Sequence, residues 1–195
     1  MNIAIFGGTF DPIHTGHLLM AESAREQFKL QRIVFLPTGN PPHKQTIMAS
    51  AMHRLAMIKK AIQSNPAFEA SIWEIQQKRT VYTYEALAHF KKVYPRAALF
   101  FILGSDSLRA VPQWRQGIAL LRQARFLIIE RPETPWAGLP LTLRRWTRRV
   151  NSPLCAIASH EIRARRARRQ SIRYVVPDPV AAYIQKKNLY SGISR

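Results

Sequence analysis

Short apolar segments alternate with helical patterns along this chain, and this alternation restricts the fold to very few architectures. The apolar segments are bounded by turn residues, as buried parallel strands are, and they are Ile3 to Phe6, Arg32 to Leu36, Leu99 to Leu103 and Phe126 to Ile129. Between them, apolar residues recur at spacings of three and four over Leu18 to Phe28, Met52 to Ile62, Thr83 to Val93 and Leu108 to Leu121. The pattern predicts an α/β fold, a doubly wound parallel sheet with right-handed crossovers.

The later part of the chain is expected to complete the same domain. Leu154 to Ile157 is typical of a strand and Ser159 to Arg168 of a helix, whereas the preceding Pro132 to Pro153 is the least regular segment. A chain of 195 residues with 47% hydrophobic content can bury one sizeable core. We therefore predict a single domain over residues 1–195, with a surface excursion at about residues 132–153.

Two features of the composition bear on the compartment. No apolar run approaches the roughly 20 residues that a membrane-spanning helix needs, and the first six residues lack the basic start of a signal peptide. Cys155 is the one cysteine and has apolar neighbours, which predicts a buried strand residue without a catalytic role. We expect a location in the cytoplasm.

The chain is strongly basic, with a formal net charge of +19, so anionic partners are favoured. Much of the excess falls late in the sequence, at Arg163, Arg165, Arg166, Arg168, Arg169 and Arg173. This run could contact the phosphates of a nucleic acid. It also fits a solvated helix face that attracts nucleotide substrates, and we prefer this second interpretation.

The first predicted strand ends in a turn that contains Gly7, Gly8, His14 and His17. Because glycine lacks a Cβ, a bulky anion can approach the backbone N–H groups of such a turn. Both imidazoles lie where the first helix begins, and a helix N-terminus already suits phosphate through its unpaired N–H groups. The turn predicts phosphate binding, and the alternative is a tight turn with two capping histidines.

Two further turns should meet this one, since the carboxyl ends of parallel strands lie at one edge of a sheet. The loop Pro37 to Lys44 presents His43 and Lys44 behind restrictive prolines, which suits phosphate, although alone it resembles an ordinary polar loop. Gly104 to Asp106 opens a predicted helix, where an acidic side chain either binds ribose hydroxyls or caps the helix.

The run Gly7-Gly8-Thr9-Phe10-Asp11-Pro12-Ile13-His14, followed by His17, resembles the HxGH nucleotidyltransferases, and most closely the bacterial nicotinate-nucleotide adenylyltransferases. The resemblance implies a Rossmann-like nucleotidyltransferase fold. It also implies adenylyl transfer from ATP to nicotinate mononucleotide, which gives nicotinate adenine dinucleotide and pyrophosphate in NAD biosynthesis by direct in-line displacement. Mg²⁺ is expected as the counterion of ATP, held mainly by phosphates and water, and no spacing in the sequence indicates a metal site on the protein.

The resemblance also implies the residues that carry each role. Those expected to act on the reacting phosphates are His14, His17, Lys44 and Arg163. Those expected to bind ATP are Gly7, Gly8, Thr9, Phe10, Gly104, Asp106, Ser159 and His160. Those expected to bind nicotinate mononucleotide are His43, Tyr82, Thr83, Trp114 and Arg115, with Trp114 stacked on the pyridine ring. A tryptophan in a helical stretch is otherwise more often a core residue.

The late signature Ile157-Ala158-Ser159-His160-Glu161-Ile162-Arg163 departs from the family pattern, because two hydroxyl positions carry Ala158 and His160. Ser159 is still expected to cap the helix, and Arg163 follows one turn later as a permanent cation. His160 either donates a hydrogen bond to phosphate or crowds the site.

Two alternative functions remain open on the sequence. One is a sibling nucleotidyltransferase with another phosphorylated acceptor, against which Trp114, the pair Tyr82-Thr83 and the loop Pro41-Pro42-His43-Lys44 count. The other is a non-catalytic, basic nucleic-acid-binding module on the same fold, suggested by the arginine run and the altered late signature.

Overall fold

A parallel sheet forms the centre of the molecule in the computed structural model, which describes residues 1–40 and 47–192. Its six strands in this part of the chain are β1 (Asn2–Gly8), β2 (Arg32–Pro37), β3 (Phe68–Ala70), β4 (Ala98–Gly104), β5 (Arg125–Ile129) and β6 (Thr147–Val150). They lie in the order β3-β2-β1-β4-β5-β6, and every neighbouring pair is parallel. The chain order runs outward from β1 to β3 and then returns beside β1 with β4. The doubly wound sheet is thereby confirmed.

Helices cover both faces of this sheet because its strands are apolar on both sides. The α-helices are α1 (Thr15–Gln27), α2 (Ala51–Ile62), α3 (Trp73–Gln76), α4 (Thr83–Val93), α5 (Ser105–Ala110), α6 (Leu141–Arg144), α7 (Ser159–Ala167) and α8 (Asp178–Lys186). Residues of α1, α2, α7 and α8 share one core with Ala4 and Phe6 of β1. Those of α4, α5 and α6 share the opposite core with Ile3 and Ile5. Successive residues of β1 therefore contribute to opposite layers.

The predicted helix at Leu108 to Leu121 is wrong. The α-helix α5 ends at Ala110, and short 3₁₀ segments follow at Val111–Gln113 and Gly117–Arg122. Pro112 has no N–H to donate, and Gln116 takes the left-handed conformation with a φ of 68°. The apolar spacing continues across this break, which is why periodicity alone indicated one helix.

The segment at residues 132–153 is more regular than the predicted excursion, since it supplies α6 and the edge strand β6. Thr147 and Val150 are buried, while Arg148 and Arg149 between them are exposed. An edge strand tolerates such charges, and they hide its apolar pattern. The strand predicted at Leu154 to Ile157 is absent from this described region, where Leu154 is exposed and Cys155 is half-buried in a connecting segment.

Within residues 1–40 and 47–192, no helix combines the length and the apolar character needed to cross a membrane.

Candidate active site

A broad cavity of about 1270 Å³ opens at the carboxyl ends of the central strands, beside the ends of β1 and β4. Its lining brings together predicted site residues from five separate parts of the chain. They are Gly7, Gly8, Thr9, Phe10, His14, His17, Tyr82, Thr83, Gly104, Asp106, Trp114, Arg115, Ser159, His160 and Arg163. The two remaining predicted residues, His43 and Lys44, lie outside the described residues. A cleft at this edge is where doubly wound sheets place their ligands.

The two histidines of the first turn form a buried pair at the start of α1. Their rings stack with centroids 3.6 Å apart, and the backbone N–H of His14 donates to Nδ1 of His17 over 3.2 Å. With Nδ1 accepting, Nε2 is the nitrogen of neutral His17 that can donate. Burial, and to a smaller extent the charge of Arg131, lowers the pKa of His14 from 6.5 to about 3. His14 is therefore a neutral imidazole at physiological pH, so it can donate a hydrogen bond without adding charge.

The glycines of the first turn make room for aromatic rings. A Cβ added to Gly8 would lie 2.9 Å from Cζ of Phe10, and one added to Gly7 would lie 3.0 Å from Cζ of Phe101. Phe10 has a φ of 51° and packs edge-on to His17 at 5.0 Å. Gly8 thus allows Phe10 to reach the position from which it orients His17. The sequence prediction attributed these glycines only to the approach of an anion.

Arg54 is a buried residue of α2 that holds the same turn in place, and the sequence analysis did not predict this role. Its guanidinium is buried and donates to three carbonyls, those of Thr9 at 2.7 Å, Thr38 at 2.6 Å and Ala49 at 3.3 Å. These bonds join the turn after β1, the end of β2 and the segment before α2. A charged residue at a buried position of an apolar helical stripe was the signal that could have identified it.

Asp11 is a second anchor that the predictions omitted. Its carboxylate accepts from the backbone N–H groups of Met48 at 2.9 Å and Ala49 at 3.2 Å, and from the hydroxyl of Tyr190 at 2.6 Å. The segment after α8 is therefore tied directly to the first turn. Burial and the bond to Asp11 raise the pKa of Tyr190, so its hydroxyl stays protonated and donates.

The N-terminus of α7 differs from its prediction. Ala158 occupies the N-cap position, and the methyl group there offers no hydrogen bond. The hydroxyl of Ser159 donates instead to the carbonyl of Pro12 at 2.9 Å, so the predicted capping role of Ser159 is wrong. Arg163 donates to the carbonyl of Asp11 at 2.8 Å. Both side chains therefore fasten α7 to the first turn, while His160 is exposed at the rim of the cavity.

The turn after β4 is compact because Asp106 folds back over Gly104. A Cβ on Gly104 would lie 2.2 Å from Oδ1 of Asp106, so a larger residue would displace that carboxylate. Ser105 is buried, and its hydroxyl accepts from the backbone N–H of Arg131 at 2.9 Å. The exposed carboxylate of Asp106 is thereby held at the cavity wall by a turn that β5 supports.

Another part of the cavity lining carries aromatic residues. The guanidinium of Arg115 lies over the ring of Tyr82, 4.4 Å from its centroid. Tyr82 is fixed at the start of α4, since its N–H donates to the carboxylate of Glu85 at 2.9 Å. Trp114 packs partly against the apolar core and also lines the cavity, as does Thr83. This part of the lining therefore offers two aromatic side chains and a cation to a ligand.

Glu74 is a buried carboxyl in the same cavity. It accepts from the backbone N–H of Gly39 at 3.1 Å, and burial raises its pKa from 4.5 to about 7. In the part of the chain that the structure describes, no three His, Cys, Asp or Glu side chains cluster closely enough to hold a metal ion. The cavity lining thus combines cations and hydrogen-bond donors with the carboxyl groups of Asp11, Glu74, Asp106 and Glu133.

Proteins that are similar to this chain define the class to which it belongs. The parallel sheet and the glycine–histidine turn are those of a nucleotidyltransferase, and the cytidylyltransferase-like family matches residues 5–165. A protein of Exiguobacterium sibiricum named probable nicotinate-nucleotide adenylyltransferase is 40% identical over 98% of this chain and 100% of its own length. A Desulfitobacterium hafniense protein of the same name is 40% identical over 96% of this chain and 95% of its length. This chain belongs to the nicotinate-nucleotide adenylyltransferase family.

The fold is also that of a solved relative. Plasmodium falciparum nicotinic acid mononucleotide adenylyltransferase complexed with NaAD superimposes with a TM-score of 0.81, covering 97% of each chain. The two sequences are 23% identical, so this likeness bears on the fold alone. The Rossmann-like nucleotidyltransferase architecture expected from the sequence is confirmed.

Proposed function

We propose that this chain transfers the adenylyl group of ATP to nicotinate mononucleotide, forming nicotinate adenine dinucleotide and pyrophosphate in NAD biosynthesis. The observation that carries this proposal is the meeting of two unlike walls in one cavity. One wall combines the first turn with the N-terminus of α7, and the other presents Tyr82, Trp114 and Arg115. A nucleotide triphosphate suits the first wall, and an anionic aromatic acceptor suits the second.

The reaction needs alignment more than proton transfer. A phosphate monoester with a second pKa near 6 is largely dianionic at neutral pH, so the acceptor oxygen is already a nucleophile. That oxygen attacks the α-phosphorus of ATP, and the bond from the α-phosphorus to the β-bridging oxygen breaks as pyrophosphate leaves. His14 and His17 donate hydrogen bonds to the phosphates as neutral rings, and Arg163 contributes positive charge. Lys44 is assigned to the same task by the resemblance.

The remaining residues position the two substrates. Gly7, Gly8, Thr9 and Phe10 form the turn along the phosphates, and the first-turn N–H groups of α7 at Ser159 and His160 face them. Gly104 and Asp106 bind the ATP ribose, for which the exposed carboxylate is a suitable acceptor. On the acceptor side, Trp114 stacks on the pyridine ring. Thr83 and the backbone N–H of Arg115 bind its carboxylate, with Tyr82 and His43 beside it.

A divalent cation enters as part of the nucleotide substrate in this proposal. Mg²⁺ suits that role because it is usually held by substrate phosphates and water rather than by protein ligands. A location in the cytoplasm also stays a prediction.

The test is dinucleotide formation by purified protein from ATP and Mg²⁺, with nicotinate and nicotinamide mononucleotides assayed in parallel. His17→Ala should lower kcat by about 10²–10³, the usual cost of removing a donor that stabilises transition-state charge. His53→Ala, on α2 outside the cavity, is the matched control and should retain normal turnover.

If the protein formed a dinucleotide from neither mononucleotide, the proposal would be overturned. Preferential use of 4′-phosphopantetheine would instead identify the sibling transferase with another acceptor. Normal turnover by His17→Ala would reject only the role assigned to that residue.

A further inference from the structure

The C-terminal end of α7 and the turn after it form an exposed basic surface that adenylyl transfer does not use. We call this surface the α7 patch, and its residues are Arg165, Arg168, Arg169, Arg173 and Tyr174. All five side chains are exposed, and Tyr174 is 81% exposed. The patch is separate from the cavity, whose α7 lining ends at Arg163.

The positive charge of the α7 patch is not neutralised by ion pairs. The four ion pairs in the described part of the chain lie elsewhere, at Arg25–Glu22, Arg32–Glu69, Arg79–Glu85 and Arg149–Glu130. Glu161 is the single acidic residue in the sequence from 159 to 174, and it lies in the first turn of α7. Four guanidinium groups are thus available to phosphate oxygens, which they match in geometry.

The aromatic member of the α7 patch is held in place by its backbone. Tyr174 has a φ of 67°, and its carbonyl accepts from the hydroxyl of Thr15 at 3.1 Å. The backbone N–H of Thr15 donates to the carbonyl of Val175 at 3.0 Å. Arg165 adds a bond from Nε to the carbonyl of Ser171 at 2.9 Å. The turn is pinned to the start of α1, while the tyrosine side chain is exposed to solvent and directly follows the exposed Arg173 in the chain.

We propose that the α7 patch binds single-stranded nucleic acid, with the arginines on successive phosphates and Tyr174 stacked on a base. Exposed aromatic rings interleaved with guanidinium groups are the contacts that bind single strands without sequence preference. Attraction of nucleotide substrates, the interpretation preferred on sequence alone, requires no exposed aromatic ring. Insertion into a membrane would require an exposed apolar helix face, but the apolar Ile162 of α7 is buried in the core.

This binding is compatible with adenylyl transfer. At a rise of about 1.5 Å per residue, Arg168 lies about 13 Å along α7 from Ser159 at the cavity. The strand would run over the outer end of the helix and the following turn. The activity and the nucleic-acid binding can therefore be measured, and can fail, independently.

The experiment measures fluorescence anisotropy of labelled oligouridylate and oligothymidylate over a series of salt concentrations with the full chain. Each phosphate contact in a single strand contributes about 0.7 to the slope of log K against log salt. Arg168→Ala/Arg169→Ala/Arg173→Ala should therefore reduce the slope by about 2 and weaken binding. Tyr174→Ala should weaken binding about 5- to 150-fold with little change in slope, since base stacking is lost.

The matched control is Lys91→Ala/Lys92→Ala/Arg96→Ala, which also removes three exposed positive charges, in this case at the end of α4 on the other face of the sheet. It should keep the slope within about one phosphate contact of the unmodified protein. Both triple variants should retain dinucleotide formation, which shows that they fold.

Equal loss of binding in the two triple variants would overturn the proposal, because general attraction by the net charge would then suffice. Failure of the unmodified protein to bind either oligonucleotide would also overturn it. So would tighter, patch-dependent binding to vesicles of phosphatidylserine and phosphatidylcholine, which would assign the surface to a membrane.

Discussion

The two walls of the cavity are built in different ways. The wall proposed for ATP is held by buried hydrogen bonds, in which Arg54 and Asp11 fasten the first turn to distant segments. The wall proposed for the acceptor presents exposed or half-buried side chains, such as Arg115 over Tyr82. A charged group that is held by buried partners interacts more strongly with its neighbours than an exposed one, because water screens the interactions of the exposed group.

The difference fits what each substrate demands. Aligning two repelling anions requires donors that do not move during the reaction, and a turn held by buried hydrogen bonds supplies such fixed donors. Recognition of a flat ring requires an aromatic surface of the right orientation, and such contacts tolerate partial exposure. We therefore expect substitutions on the ATP wall to change stability and activity together, and substitutions on the acceptor wall to change affinity for the acceptor with a much smaller effect on stability.

The largest effect is expected for Arg54→Met, which removes the cation and leaves three carbonyls without their donor, that of Ala49 buried and those of Thr9 and Thr38 part-buried. A buried group left unbonded costs about 1–3 kcal/mol and a part-buried one costs less, so the three losses together should lower the free energy of unfolding by about 3 kcal/mol or more. Urea unfolding measures this change, and KM for ATP should rise with it.

The exposed Lys59→Met on the same helix is the control and should stay within about 0.5 kcal/mol. A loss below about 1 kcal/mol in Arg54→Met would mean that the turn holds itself, and the contrast between the walls would disappear.

An intermediate effect is expected for Glu74→Gln, and it depends on pH. Burial raises the pKa of Glu74 from 4.5 to about 7, so the folded state binds more protons than the unfolded state between these values. The favourable contribution of this proton binding by Glu74 to the free energy of unfolding is complete below pH 4.5 and is lost as pH rises to about 7. Because glutamine stays neutral, the variant should gain about 3 kcal/mol relative to the unmodified protein across this window.

Chemical unfolding at several pH values between 4 and 8 tests this expectation, with the exposed Glu26→Gln as control. A difference in unfolding free energy that does not change with pH would show that the carboxyl of Glu74 titrates alike in both states.

The smallest effect is expected for Arg115→Ala on the acceptor wall. An exposed cation–π contact contributes about 0.5–1 kcal/mol, so its loss should lower the unfolding free energy by no more than about 1 kcal/mol. Because the contact holds the Tyr82 ring in the position proposed for acceptor binding, KM for nicotinate mononucleotide should rise by at most about 2- to 5-fold. KM for ATP should remain unchanged. Arg109→Ala, also exposed but outside the cavity lining, is the control. A comparable rise in KM for ATP would show that the two walls are coupled.

Sequence reasoning predicted the residues that face the cavity better than those that hold them. His14, His17 and Trp114 stand in recognisable local patterns, and the structure places them all in the cavity lining. Their roles stay predictions. Arg54 and Tyr190 were missed, because a buried arginine or a tyrosine near the end of the chain has no local pattern that reveals its partner.

Ser159 shows how a local rule fails. A serine before a helical pattern favours a cap, yet its hydroxyl bonds to Pro12, which is 147 residues away in the sequence. The long-range partner satisfied the hydroxyl, and the helix began one position earlier than the rule expects.

The alternation of strands and helices and the turns at the carboxyl ends of the strands could be predicted from local patterns. They depend on side-chain periodicity and on glycine and proline, which act over a few residues. How the turns are fixed depends instead on contacts between distant parts of the chain. The bond from Tyr190 to Asp11 spans 179 positions and that from Arg163 to Asp11 spans 152, so neither partner can be found until the sheet brings them together.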